Sequence, residues 1–169
     1  MANTKLTQRV ISLEEVGPVS LYIQGDLDRC RQQAVFLTVH HVGSDYTSLV
    51  SWASSPAMKE VRDRAVFLHV SLPGQESESE DLPRDFTFPS MAKLGLSLVT
   101  VLDHLRVSRV VGVGEGAGAN IILRFGLYHP NRVHGIFAIN LSTSVSRGRF
   151  MEALKVKGPS ASDSNIKGI

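Results

Sequence analysis

The chain has one cysteine, Cys30, in 169 residues. A lone thiol excludes an internal disulfide and any paired-cysteine zinc or redox arrangement, and it suits a reducing compartment. Its expected role is that of a small, partly buried side chain. Long apolar runs are also lacking. None approaches the roughly 18 residues a membrane-spanning helix needs, and the N-terminal "MANTKLTQRV" has no signal-peptide apolar region. Ala2 stands where a myristoylation signal would place glycine. Neither sign of charge dominates: 18 Lys and Arg face 16 Asp and Glu, for a net charge of +2. The basic residues are dispersed, so no nucleic-acid stripe or polybasic membrane patch forms. These absences lead us to expect a cytoplasmic chain with no nucleic-acid partner and no transmembrane segment.

What is present alternates between strand-like and helix-like segments. "VSLYIQGD" (19–26) alternates apolar and polar residues as a half-solvated strand does. "AVFLTVHH" (34–41) and "AVFLHVSL" (65–72) are continuous apolar runs suited to strands covered on both faces. Between them "SSPAMKEVRDR" (54–64) combines a Ser cap, a Pro in the first turn and good helix formers. The polar, acidic stretch "PGQESESEDLPRDFTFP" predicts a long surface loop. Its carboxylates Glu76, Glu78, Glu80 and Asp81 lack EF-hand spacing and read as a solvated face, and Ser77 and Ser79 give only a weak phosphorylation signal. "SMAKLGLSLVTVLDHLRV" (90–107) places apolar residues three and four apart behind Ser90, an amphipathic helix with its cap. "SRVVGVG" predicts a buried strand, "AGANIILRFGLYHP" a helix and "VHGIFAINL" a further strand. The fold class is therefore α/β, a doubly wound and mostly parallel sheet. Residues 1–15 are expected to be an N-terminal extension, 16–150 the domain and 151–169 a disordered tail.

The stretch "VVGVGEGAGA" (110–119) joins strand to helix through glycines, and three kinds of chemistry use such a turn. A phosphate-binding P-loop needs a Lys followed by Ser or Thr, whereas Ala and Asn occupy that region. A dinucleotide fingerprint is matched in spacing by Gly112, Gly114 and Ala117. It also requires an acidic residue some 20 positions on, and no Asp or Glu occurs from Gly116 to Met151. No cofactor is expected. The third possibility is the G-x-S-x-G nucleophile elbow, with Gly112 and Gly116 at its glycine positions and Gly114 at the serine position. Glycine accepts the backbone bend and carries no attacking oxygen.

"AVFLTVHHVG", "FLHVSLPGQ", "FTFPSMAKL" and "VVGVGEGAGANIILRFGLYHPNRVHGIFAIN" together resemble the N-myc downstream-regulated (NDR) family over roughly residues 16–141. That resemblance implies an α/β-hydrolase-like fold without the catalytic serine. It further implies a non-enzymatic, mostly cytoplasmic protein of growth control, differentiation, stress response or trafficking, working through unidentified protein partners. The chain departs from the family pattern at His41, where the family carries Asp, at Ser71, where an acidic residue often stands, and at "NLST" after the last strand.

The hydrolase analogy places a vestigial elbow at Gly112, Gly114, Glu115 and Gly116, and a vestigial oxyanion loop at His40, His41, Val42 and Gly43. Its donors would be the amides of Glu115 and of the His41–Val42 region. The Glu115 carboxylate either enters the cleft above the turn or, as a solvated acid, favours the following helix N-terminus. No substitute nucleophile stands out. Ser97 lies on the amphipathic helix, Ser142 and Ser144 follow the last strand, and Cys30 lies in an early turn. The paired His40 and His41 lack a third metal ligand at regular spacing. The remaining histidines, His69, His104, His129 and His134, are scattered and read as structural. The triad acid and histidine of this fold belong to strands beyond those found here, and no His follows His134. The chain thus reads as the N-terminal part of such a fold, short by roughly 100 residues. Its final strand would leave an apolar edge open to homo-association or to a partner. The alternatives are a binder of lipid or acyl ligands in the vestigial cleft, or a cryptic hydrolase.

Overall fold

The computed structural model describes residues 6–29, 33–76, 82–83 and 85–141. Cys30, the acidic residues Glu78, Glu80 and Asp81, Ser77 and Ser79, Ser142 and Ser144, and the tail at 151–169 lie outside them. The strands are β1 (Leu6–Leu13), β2 (Gly17–Gln24), β3 (Ala34–Val39), β4 (Ala65–Ser71), β5 (Val110–Glu115) and β6 (Val133–Ile139). They form one sheet in the order β1-β2-β4-β3-β5-β6. β1, β2 and β4 pair antiparallel, whereas β4, β3, β5 and β6 run parallel. The helices are α1 (Tyr46–Ser54), α2 (Lys59–Arg62), α3 (Met91–His104) and α4 (Ala117–Tyr128).

The two faces of the sheet bury different side chains. On one face α3 and α4 contribute Leu98, Val101, Leu102, Ile121, Ile122 and Phe125 to the main core. Full burial of each such side chain favours folding by about 1.5–3 kcal/mol. The other face holds a smaller cluster in which Ala53, Ala65 and Phe67 pack with Phe36, Trp52 and Met58. β4 is buried along its whole length, as its unbroken apolar run requires.

Three sequence expectations are corrected. Most of the supposed N-terminal extension is β1, which pairs with β2 residue by residue and buries Ile11 and Leu13. β2 is not half-solvated: Leu21, Tyr22, Ile23 and Gln24 are all buried, because β1 and β4 flank it and Leu21 and Ile23 join the main core. The principal helix between β3 and β4 is α1, upstream of "SSPAMKEVRDR". That stretch forms only a 3-10 turn at Pro56–Met58 and the short α2. Four of the nine α1 residues are Ser or Thr, which blurs its apolar stripe. Asp45 caps it by accepting the Thr47 N–H at 2.8 Å. α3 begins as expected, with Ser90 accepting the Lys93 N–H at 3.2 Å.

At the outer side of β6 no strand pairs among the described residues. Phe137 is 63% exposed there, and Ile139 and Leu141 are exposed as well.

Candidate functional site

The turn after β5 is where the chain reverses from strand to helix, and its bend falls on Gly116. This residue has φ 55° and ψ −113°, a combination open to glycine and costly for other residues. Gly114 is an ordinary strand residue two positions earlier, paired with Val39 of β3 and Ala138 of β6. The sequence frame Gly112-x-Gly114-x-Gly116 is therefore corrected by two residues, to Gly114-x-Gly116-x-Gly118. A three-glycine alternation fits G-x-S-x-G in two registers, and only the dihedral angles choose between them.

Each of these glycines answers to a different neighbour. A Cβ on Gly114 would stand 2.5 Å from both Ala119 Cα and Gly118 O, so α4 seats its first turn directly on β5 here. A Cβ on Gly118 would collide with the carbonyl oxygens of Val39 and His40 at the end of β3. A Cβ on Gly116 would collide with the imidazole of His41. That ring therefore occupies the space that a side chain on the bend would use.

His41 also engages the amide that follows the bend: Ala117 N–H donates to His41 Nδ1 at 3.3 Å. The other amides around the turn are occupied too. Gly116 N–H donates to Ile139 O at 2.9 Å, and Gly43 N–H donates to Gln75 Oε1 at 2.8 Å. The Glu115 amide belongs to the β5 strand, so the donor expected there moves to Ala117. The Glu115 side chain is partly exposed and precedes the first turn of α4 rather than lying in it. Val42 is buried, and Gly43 makes a tight turn with φ 86°.

His40 is a fastener between strand ends. Leu72 N–H donates to its Nε2 at 3.1 Å, which makes Nδ1 the protonated nitrogen, donating to His41 O at 2.8 Å. Burial lowers its pKa below the ordinary histidine value. Both ring nitrogens are spent on backbone. No group of three or more His, Cys, Asp or Glu is placed to hold a metal among the described residues.

Of the four loop residues named from the sequence, His41 meets Gly116 and Ala117, the His40 carbonyl faces Gly118, and Gly43 bonds Gln75. Sequence reasoning missed Gln75 and Gly118. Gln75 is 2% exposed and closes on Gly43 from the turn after β4, where it ends the "FLHVSLPGQ" block.

A parallel-centred sheet with a sharp glycine bend between β5 and α4 defines an α/β-hydrolase-like protein. Solved structures agree on the fold. A bacterial membrane phospholipase A aligns with a TM-score of 0.65 at 15% identity, covering 84% of this chain and 42% of that one. A hydrolase from Pseudomonas aeruginosa aligns with a TM-score of 0.64 at 16% identity, covering 87% of this chain and 49% of that one. The family model "Ndr family" matches residues 9–160, so the chain belongs to the Ndr family. Among relatives, the Caenorhabditis elegans protein ZK1073.1, described as uncharacterized, is 37% identical over 146 residues, which is 86% of this chain and 44% of the relative. Human protein NDRG2 is 33% identical over 132 residues, which is 78% of this chain and 36% of NDRG2. The chain thus spans less than half the length of these curated relatives.

Proposed function

We propose that this chain is a non-catalytic NDR-type protein that acts through binding to protein partners in growth, differentiation, stress-response or trafficking pathways of the cytoplasm. One observation carries this reading: the bend that presents the nucleophile in active relatives of the fold is Gly116, and the His41 ring fills the space above it while accepting the Ala117 N–H. Attack needs an oxygen on the bend and free amides to receive the developing negative charge. Here the oxygen is missing and the Ala117 amide is engaged. The same ring counts against an acyl-ligand cleft at this end of the sheet. No helix among the described residues is long and apolar enough to cross a membrane.

The purified chain is expected to show no ester turnover and no labelling by a fluorophosphonate probe beyond that of a heat-denatured control. Replacing both flanking groups, Gly116→Ser with His41→Ala, removes the collision and supplies a hydroxyl. The double variant is still expected to lack turnover, because the triad acid and histidine have no counterparts on the strands described. Stoichiometric serine labelling of the unmodified chain, measured by mass spectrometry, would overturn the non-catalytic reading. The domain boundary is part of the same proposal, with the functional unit beginning at β1. Homo-association through the β6 edge is a further element of it, read out by light scattering.

A further inference from the structure

The opposite end of the sheet from the glycine bend carries a second feature. β3, β5 and β6 begin there, and between their N-terminal ends lies a cleft of about 260 Å³. Arg106, Ser108, Arg109 and His134 line it, together with Gln33 and Val111. Among the described residues no acidic side chain is part of its wall.

The local construction explains why the positive charge there is left unspent. α3 ends in a Schellman-type closure in which Arg106 N–H donates to Asp103 O at 3.1 Å and Val107 N–H donates to Leu102 O at 2.8 Å. This closure puts Arg106 at φ 56°, the left-handed position that glycine normally fills. The nearby acid is already committed: Asp103 Oδ1 pairs with Arg132 at 2.7 Å. Arg132 in turn donates from Nε to Ser108 O at 2.7 Å and from its second terminal nitrogen to Val107 O at 2.9 Å. Arg132 therefore holds the 107–108 backbone in place, and its charge is neutralised. Arg106 and Arg109 make no ion pair among the described residues.

His134 reaches the cleft through a separate irregularity. The β5–β6 register steps from Val110↔Val133 to Val111↔Gly135, which leaves His134 as the extra residue of a β-bulge. Bulges re-aim side chains at the ends of strands. Two arginines, a serine and a histidine thus line one small space from an α3 terminus, a loop and a bulge.

We propose that this cleft binds the phosphate group of a small phosphate monoester. Guanidinium groups recognise phosphate through paired, charge-assisted hydrogen bonds. Donors arriving from three elements suit a tetrahedral dianion better than a flat carboxylate, which one guanidinium fork satisfies alone. At about 260 Å³ the cleft falls just below the roughly 300–1,000 Å³ usual for larger organic ligands, room for a phosphate and a small ester group. An arginine kept in a backbone conformation that costs it about 1–2 kcal/mol relative to glycine is consistent with a task for its side chain.

The test uses the 169-residue chain with inorganic phosphate and glycerol 3-phosphate, followed by calorimetry and thermal melting against sodium chloride at equal ionic strength. Saturable binding is expected, accompanied by a rise in Tm. Arg109→Gln should weaken the affinity about tenfold or more. Arg106→Gly should also weaken binding while leaving the ligand-free Tm equal or higher, a split that a purely structural arginine would not produce. A second arm sediments the chain with vesicles containing phosphatidic acid. Response to glycerol 3-phosphate without sedimentation assigns a soluble ester. Sedimentation that Arg109→Gln abolishes, without response to the soluble ester, assigns a lipid headgroup. Both results support a phosphate-monoester site. No response in either arm, or equal responses from the Arg106→Gly/Arg109→Gln double variant, would overturn it.

Discussion

Gly114→Ser is expected to cripple folding rather than restore a nucleophile. A side chain at this position would place its Cβ 2.5 Å from Ala119 Cα and 2.5 Å from Gly118 O. Both are backbone atoms in the first turn of α4, and that turn is itself pressed against the end of β3 through Gly118. Neither layer can yield by a rotamer change, so the helix must lift from the sheet. Overpacking usually costs about 1–3 kcal/mol, and collision with backbone on this scale belongs at or above the upper end of that range. At roughly 2–4 °C of Tm per kcal/mol for a chain of this size, the loss is about 6–12 °C or more. Gly135→Ala supplies the control, since a Cβ there meets nothing within 4 Å. It should change stability by no more than about 0.5 kcal/mol, as open surface positions do. Melting curves of the two variants decide the matter. A Gly114→Ser protein that melts within 2 °C (about 1 kcal/mol) of the parent would refute the tight seating of α4.

Acid is expected to destabilise the fold well above the pH at which carboxylates titrate. His69 sits at the centre of β4, fully buried, and both ring nitrogens have partners. Its Nε2 lies 3.0 Å from Gln24 Oε1, an atom that only accepts, so Nε2 carries the proton. Its Nδ1 therefore accepts from the Thr38 hydroxyl at 2.8 Å. Gln24 extends the chain by donating to Ser54 Oγ at 2.9 Å, which ties β3, β4, β2 and α1 through one buried polar line. Burial pushes the His69 pKa down from 6.5 to about 3. The unfolded chain binds a proton at this residue below about pH 6.5, whereas the folded chain does not until about pH 3. The stabilisation is complete above the unfolded value and is lost as pH falls through this window. At about 1.4 kcal/mol per pH unit it sums to roughly 5 kcal/mol, comparable to the whole stability of a modest domain. His40 contributes in the same direction. Urea unfolding at pH 7, 6 and 5 checks this in a range where carboxylates remain ionised. Through His69 alone, stability should fall by about 0.7 kcal/mol from pH 7 to pH 6 and by about 1.2 kcal/mol from pH 6 to pH 5, as the unfolded histidine fills with protons. Equal stability at pH 7 and pH 5 would contradict a neutral, buried His69.

Much of this architecture is legible in the residues because its strands are short apolar runs separated by clear punctuation. β3, β4 and β5 declare themselves by β-branched and aromatic content, and α3 by its spacing and Ser90 cap. The weaker signals were those that only partners supply. β1 reads as polar because one of its faces is exposed, and its strand identity depends on pairing with β2. α1 is rich in Ser and Thr, and its anchor is Tyr46 stacked on Tyr22 at 3.5 Å between ring centroids, a contact across the fold. The glycine bend was located to within two residues, and the ambiguity is built into a stretch where glycine recurs at every second position. His41 stood out as a departure from the family pattern, yet its occupation of the space above Gly116 depends on β3 and α4 meeting in three dimensions.

The unflanked side of β6 has a geometric consequence for assembly. Among the described residues the sheet has two dissimilar borders, β1 with Gln8 and Arg9 at one side and β6 with Phe137 and Ile139 at the other. When β6 meets β6 across a twofold axis, each border consumes its own kind and the growth stops at two chains. When β6 meets β1, every addition regenerates the border it used, and the result is an open-ended ribbon. The charge on Arg9 and the polar side chains beside it disfavour the second arrangement, so the proposed association through β6 is expected to stop at two chains.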